Sequence, residues 1–314
     1  MNLLVATKKR SAPSKMRRWC PGLLTYVIVI LALGGLVAGL YPMTAAWVSS
    51  YNQSKVIEDA LSDIDEISPG PTDQLRLAHA YNQALTSGVR LEAGGNVPVG
   101  AGNLSNSELR YESMLKADDD RLMGRVRIPA IDVDLPIYHG TGEDSLLRGA
   151  GHLEGTHLPV GGAGTRSVIT AHRGLASATM FTNLNHVKEA DTFTVEVLGE
   201  VLVYQVFDIQ VIDPDDSGSL KAVAGEDLVT LITCTPLGIN TQRILVTGKR
   251  ITPTPPKELA DAGKPSTVVK FPWWIVIGGA GIITIGTYYT RRGFADARMA
   301  ANKSLKQDTS RSNI

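Results

Sequence analysis

The sequence predicts a mainly β domain, a barrel or a sandwich, preceded by helices and enclosed by two apolar stretches of membrane-spanning length. Three observations predict it. Between residues 122 and 251, short β-branched runs recur between clusters of Gly, Pro, Asn and Asp. Amphipathic helical spacing is concentrated upstream, in residues 47–85. Residues 23–41 and 271–289 carry no charged side chain, and each is close to the roughly 20 residues that cross a bilayer.

Charge narrows the class further. The 314 residues hold 31 basic and 31 acidic side chains. A net charge of zero argues against a nucleic-acid partner. The basic residues nevertheless crowd both ends, next to the apolar stretches. The acidic residues show no metal-ligand spacing, and nothing in the chain calls for a cofactor.

Residues 1–22 read as a basic cytoplasmic tail. The span at 23–41 follows, with the positive charge before it placing the N-terminus inside. Its apolar core exceeds the roughly 7–15 residues of a signal peptide, so it reads as an uncleaved anchor. Thr44-Ala45-Ala46 nevertheless offers small residues to a peptidase. Residues 44–121 read as a helical region. Val56 or Ile57, Ala60 or Leu61, Ile64 and Ile67 recur at helical spacing, and Ser68-Pro69-Gly70-Pro71 ends that pattern. A second helix over 72–85 uses Leu75, Ala78, Tyr81 and Leu85. The Gly-, Asn- and Ser-rich stretch 88–106 reads as a loop, and loops of that length without structure of their own are often lids. Residues 107–116 read as a short helix, and Asp118-Asp119-Asp120 as a solvated turn.

The β region starts near Met123. Strands are expected at 125–128, 133–138, 167–171, 192–198, 201–212, 228–233 and 244–251, with a glycine-rich loop over 140–164 and a helix over 176–186. Gly199-Glu200 suits a tight hairpin turn with glycine first. Residues 252–270, rich in proline, read as a stiff extended linker. The second span, 271–289, has Trp273 and Trp274 at one end and Tyr288 and Tyr289 at the other, as interfacial aromatics would be placed. Arg291 and Arg292 open a second basic tail, 290–314. Both termini are therefore expected in the cytoplasm and the β region outside the cell.

Candidate chemistry centres on Cys234. An apolar run ends at this residue, a turn with Pro236, Gly238 and Asn240 follows, and Arg243 opens the next run. Two neighbouring strands would bring a thiol and a guanidinium to one rim of a sheet. A cation stabilises a thiolate nucleophile, and a guanidinium also holds an oxyanion. The other cysteine, Cys20, lies in the basic tail. In an exported domain, Cys234 would have no second cysteine to bridge to, and an exported thiol is a liability unless it is used. Six histidines could supply a proton carrier. His172 follows one strand run and His139 another, and position leaves both open. His152 and His157 flank the glycine-rich loop and are read as lining a groove.

The run Thr-Leu-Ile-Thr-Cys-Thr-Pro-Leu-Gly-Ile-Asn-Thr-Gln-Arg, residues 230–243, resembles the sortase motif Thr-Leu-x-Thr-Cys with its downstream arginine. Leu135-Pro136-Ile137-Tyr138-His139-Gly140-Thr141, Thr170-Ala171-His172-Arg173-Gly174, Met123-Gly124 and Gly248-Lys249-Arg250 add to the likeness. It is closest to class C, the pilus-assembling sortases, and covers roughly residues 122–251. The resemblance implies an eight-stranded sortase-type β-barrel with N-terminal helices, flanked by two transmembrane helices. It implies Cys234 as nucleophile, His172 as acid/base and Arg243 as the oxyanion-holding or substrate-positioning group. Thr233, Thr170, Asn240 and His139 are further candidates for ordering the site or binding substrate. The implied partners are proteins ending in a Leu-Pro-x-Thr-Gly-type signal and an amine acceptor, a pilin lysine or a cell-wall precursor. One departure stands out: class C lids carry Asp-Pro before an aromatic residue, whereas the Asp-Pro here is Asp213-Pro214, followed by Asp215 within the β region. The other readings are a wall-anchoring sortase, a cysteine protease and a surface protein that is itself a sorting substrate. No Leu-Pro-x-Thr-Gly precedes the second span, which argues against the last.

Overall fold

The computed structural model describes residues 19–86, 89–90, 99–100, 103–104, 109–118 and 120–311. They fall into two compact units. The described residues within 42–271 form the larger one, and 19–41 with 272–311 form the other.

Helix α1 (Leu23–Ser62) runs through Pro42 without interruption. The first apolar stretch and the first amphipathic stretch, read separately from the sequence, are thus one helix. Helix α2 (Pro71–Ala84) starts on a proline whose missing N–H costs nothing in a first turn. It is fastened by two buried amides as much as by Ala78 and Tyr81. Gln74 bonds both backbone groups of Lys116, and Asn82 does the same for Leu158.

The stretch expected to be a structureless lid contributes two short antiparallel pairs. Strand β1 (Leu85–Thr86) pairs with β4 (Asn103–Leu104), and β2 (Val89–Arg90) with β3 (Val99–Gly100). The rest of 88–106, and with it the lid reading, lies outside the described residues. The helix expected over 107–116 is reduced to one 3-10 turn, Tyr111–Ser113. Asp118 accepts hydrogen bonds from the backbone N–H groups of Asp120 and Leu122, which turns the chain into the first barrel strand.

The barrel strands are β5 (Leu122–Ile128), β6 (Val133–His139), β7 (Ala150–His152), β8 (Thr165–Thr170), β9 (Thr192–Val197), β10 (Glu200–Ile212), β11 (Asp227–Thr235) and β12 (Gln242–Arg250). They close in the order β10-β12-β11-β8-β7-β6-β5-β9. The pairs β6–β7 and β8–β11 are parallel, and the rest antiparallel. Val126, Ile128, Ile137, Phe193, Val195, Leu231 and Val246 point into one continuous core.

Three expectations are corrected here. The loop over 140–164 contains helix α3 (Glu143–Arg148) and strand β7. Composition hides β7 because its one glycine, Gly151, answers to close backbone approach: a Cβ there would run into the carbonyl oxygen of Gly140. The helix expected over 176–186 is a series of turns ending in a 3-10 turn, Leu184–His186. Its apolar residues Ala178, Met180, Phe181 and Leu184 enter the barrel core without helical backbone. The β9–β10 hairpin turns on Leu198 (φ 47°) and Gly199 (φ 87°), since Val197 pairs with Glu200. The turn therefore lies one residue earlier than Gly199-Glu200.

The proline-rich stretch is not a free linker. It contains helix α4 (Pro256–Ala260), and the chain after it is clamped to the barrel wall. Arg125 makes two 2.7 Å bonds to the Asp134 carboxylate and donates to the carbonyl of Lys264 at 2.8 Å. Arg127 pairs with Glu196 at 2.6 Å and donates to the carbonyl of Asp261 at 3.2 Å. Local proline content could not reveal this, because the anchors lie more than a hundred residues away.

In the terminal unit, helix α5 (Trp273–Arg311) packs antiparallel to the first half of α1. Leu36 lies on Gly281 and Leu40 on Gly278, and Tyr289 meets Trp19 and Tyr26 edge-on. Such small residues let two helix backbones approach closely. Asp296 accepts bonds from the N–H of Gly22 and the hydroxyl of Thr25. Among the described residues, α1 is the helix whose length and mean hydropathy of 2.5 suffice to cross a membrane.

Both members of the Arg125–Asp134 pair are at most 4% exposed. Removing Asp134 leaves the buried Arg125 with Glu196, 3.6 Å away, as its remaining carboxylate, so the cost should approach but not exceed the about 3–5 kcal/mol of an unpaired buried charge. Asp134→Ala is expected to lower the unfolding midpoint far more than Glu58→Ala, which breaks the exposed pair with Lys55. Equal midpoints for the two variants would contradict the clamp.

Candidate active site

Strand β11 lies between β8 and β12. On the β12 side, Cys234 is directly opposite Arg243. A six-residue turn, 236–241, joins the two strands, with the N–H of Asn240 bonded to the carbonyl of Pro236 at 2.9 Å. Asn240 itself is left-handed, φ 59°, a conformation asparagine tolerates better than most residues.

On the β8 side the pairing is parallel and ends at Ile232 opposite Thr170. Two residues beyond that point stand Cys234 on one strand and His172 on the other. Just before them the strands are tied by side chains as well as backbone. The Thr170 hydroxyl donates to the carbonyl of Ile232 at 3.2 Å, and the Thr233 hydroxyl donates to the carbonyl of Ala171 at 2.8 Å. Thr170 and Thr233 therefore hold the registry of the site. Their hydroxyls are turned to backbone rather than into a cleft.

Arg243 is fully buried. Its Nη1 donates to the carbonyls of Asn240 and Gln242, at 2.9 and 3.0 Å. Asn240 thus reaches the site through its main-chain carbonyl. Neutral carbonyls meet the donors of a buried guanidinium without cancelling its charge.

Burial pushes the Cys234 thiol up from its ordinary value, and Arg243 opposes that shift. Burial also lowers the His172 imidazole, opposed by the carboxylate of Glu143. Both shifts favour the neutral thiol and neutral imidazole over a thiolate–imidazolium pair. In that state the imidazole can take the thiol proton as the sulfur attacks.

The rival histidine lies elsewhere. Strand β6 is parallel to β7, and β7 antiparallel to β8, so β6 ends at the rim opposite His172. His139 is fully buried there, its ring nitrogens 2.9 Å from the Arg121 carbonyl and 2.6 Å from the Met114 carbonyl. It fastens residues 114–121 to the barrel. His152 and His157 do not line a groove. His152 is buried against the Tyr111 hydroxyl and the His157 carbonyl, with its pKa pushed down to about 3, and His157 accepts a bond from the N–H of Arg166.

Sequence reasoning gave no role to Arg173, Thr235 or Glu143. Arg173 was visible as the residue after His172, but its contacts cross gaps that no local pattern reveals. Among the described residues, no cluster of three or more His, Cys, Asp and Glu side chains is arranged to hold a metal ion.

Residues 126–251 match the family model described as the Sortase domain. The chain is 24% identical over 151 residues to Sortase D of Bacillus subtilis (strain 168), which spans 47% of this chain and 73% of that protein. It is similar to the crystal structure of sortase C-1 from Actinomyces oris, with 46% identity and a TM-score of 0.52, covering 58% of this chain and 98% of that one. A Streptococcus pneumoniae Sortase C, described for its catalysis and pilin substrate specificity, is 41% identical. Its TM-score is 0.55, and the match covers 64% of this chain and 99% of that one.

The pKa directions set a pH dependence for the thiol. Alkylation of Cys234 by iodoacetamide should rise with pH and level off only above the usual thiol range. Arg243→Gln, which removes the opposing charge, should move the inflection higher still. An inflection below pH 7 in the unsubstituted protein would contradict the neutral resting pair.

Proposed function

The chain belongs to the sortase family of cysteine transpeptidases, and on that premise we propose that it is a pilus-assembling, class C member acting at the outer face of a cell membrane. The observation that carries the chemistry is Cys234 directly opposite Arg243, with His172 ending the neighbouring strand. The class rests on the solved sortase C structures at 41–46% identity. The substrates would be proteins that end in a Leu-Pro-x-Thr-Gly-type signal, and the acceptor a lysine amine of a pilin.

The steps follow from the neutral resting pair. The Cys234 thiol gives its proton to His172 as Sγ attacks the threonine carbonyl of the signal. Arg243 faces the oxyanion that forms. The C–N bond to glycine breaks, and His172 passes the proton to the leaving glycine amine. A thioester between Cys234 and the threonine remains. The acceptor amine attacks that thioester, His172 takes its proton, the thiolate leaves, and the proton returns to sulfur. One amide is exchanged for another through a thioester, so no nucleotide is consumed.

Two passes through the membrane suit this role. The basic residues flanking both apolar stretches, and the packing of α5 on α1 through Gly278 and Gly281, support a helical pair with both termini in the cytoplasm. Labelling tests that orientation. Cys20 should resist a membrane-impermeant maleimide in intact cells and react once the membrane is opened. Ile314→Cys in a Cys20→Ser background should behave alike, and its labelling in intact cells would leave a single pass.

Mass spectrometry of the full chain mixed with a Leu-Pro-x-Thr-Gly peptide should show a Cys234 adduct carrying the peptide up to threonine. A pilin lysine domain should discharge it. Cys234→Ala should give no adduct. Arg243→Lys should form it at least about tenfold more slowly, since an ammonium lacks the guanidinium fork. Unchanged adduct formation in either variant would defeat the assignment.

A further inference from the structure

We propose that Arg173 is a positioning residue for the transfer reaction, holding His172 at its working distance from Cys234; this rests on the transpeptidase reading given above. The need for such a residue comes from the topology. Backbone pairing between β8 and β11 stops at Thr170 and Ile232. Cys234 and His172 both lie past that last paired rung. Two ties precede them, the Ala171 N–H on the carbonyl of Ile232 at 3.2 Å and the Thr233 hydroxyl on the carbonyl of Ala171 at 2.8 Å. Both lie on the barrel side of the pair, so the ends beyond it need a tie of their own.

Arg173 closes the far side. Its Nη1 donates to the hydroxyl of Thr235, the residue after the nucleophile, at 2.8 Å. Its Nε donates to the carbonyl of Thr182 at 3.2 Å, and its Nη2 to the side-chain oxygen of Asn185 at 3.0 Å. One planar group thus joins three segments, namely the loop carrying His172, the return of that loop and the end of the nucleophile strand. Two bonds lock the loop to its own return: the Phe181 N–H donates to the His172 carbonyl at 3.0 Å, and the Gly174 N–H to the Thr182 hydroxyl at 3.1 Å. Cys234 and His172 are consequently bracketed, by Thr233 and Ala171 before them and by Arg173 and Thr235 after them.

The chemistry explains the choice of residue. Three acceptors lying in different directions around one plane suit a guanidinium, whose five N–H donors have fixed geometry. A lysine ammonium could serve one or two of them. Arg173 itself exchanges no proton; it acts through the geometry of its neighbour. A misplacement of about 1 Å in such a pair costs on the order of a hundredfold in rate.

The test uses the full chain in membranes or detergent. Reactive Cys234 is first titrated by alkylation, so that rates are per folded site. Arg173→Ala should lower the rate constant of acylation by a Leu-Pro-x-Thr-Gly peptide at least about tenfold, with KM changed less than about twofold. Iodoacetamide alkylation on its high-pH plateau, which needs no imidazole, should stay within about twofold. Arg173→Lys should recover part of the rate. Thr235→Val, which keeps the side-chain shape and removes the acceptor, should show a smaller loss, and the double variant should be no slower than Arg173→Ala. Wild-type acylation by Arg173→Ala, or additive losses in the double variant, would overturn the proposal. A wild-type chain that does not acylate at all would instead count against the transpeptidase reading. In that event, modification of His172 by diethyl pyrocarbonate, read by mass spectrometry, decides for Arg173. A several-fold faster reaction in both Arg173→Ala and Thr235→Val supports the bracket, and unchanged rates refute it.

Discussion

The site depends on one feature of the sheet, the placement of β11 between a parallel neighbour and an antiparallel one. The antiparallel partner, β12, is joined to it by a short turn and sets Cys234 opposite Arg243. The parallel partner, β8, arrives from far earlier in the chain and ends level with the same point. Side chains on three strand ends can then meet without any single segment carrying all of them. Threonines at 170 and 233 convert that registry into side-chain bonds. A slip of one residue in either pairing would turn Cys234 or His172 to the other face of the sheet.

The electrostatics follow from burial. A buried arginine is costly unless its donors are met, and here the turn supplies one carbonyl, that of Asn240, and the first residue of β12 another. The same enclosure disfavours charge on both Cys234 and His172. A neutral pair is less prone to oxidation or stray alkylation than a standing thiolate. In the proposed reaction the guanidinium would act when charge develops during attack, and a fixed charge needs no rearrangement at that moment.

Away from the site, segments are fastened to the barrel wall by polar as well as apolar contacts. His139 holds the chain entering β5, Gln74 and Asn82 hold α2, and the arginines at 125 and 127 hold the segment after α4. Each bonds backbone carbonyls of segments that have little regular structure of their own. That is why the proline-rich stretch looked like a free linker and the histidines looked available for chemistry. A side chain's partner, rather than its type, determines which of these roles it has.

Periodicity marked seven of the eight barrel strands, because alternation and β-branching are local properties of a half-buried strand. The eighth, β7, escaped notice since its one glycine reflects a neighbour's backbone. The pairing of Cys234 with Arg243 was legible because a short turn leaves adjacent strands few other registers. His172 and His139 were a different matter. Both end strand runs, and only the resemblance to a family separated them. Their separation in space is set by which strands lie beside β11, and contacts between residues some sixty positions apart leave no mark on local spacing. The sequence alone determined which atoms could react and where strands would form. The tertiary structure decided which of those atoms share a rim, because non-local strand pairing is fixed by the packing of the whole barrel.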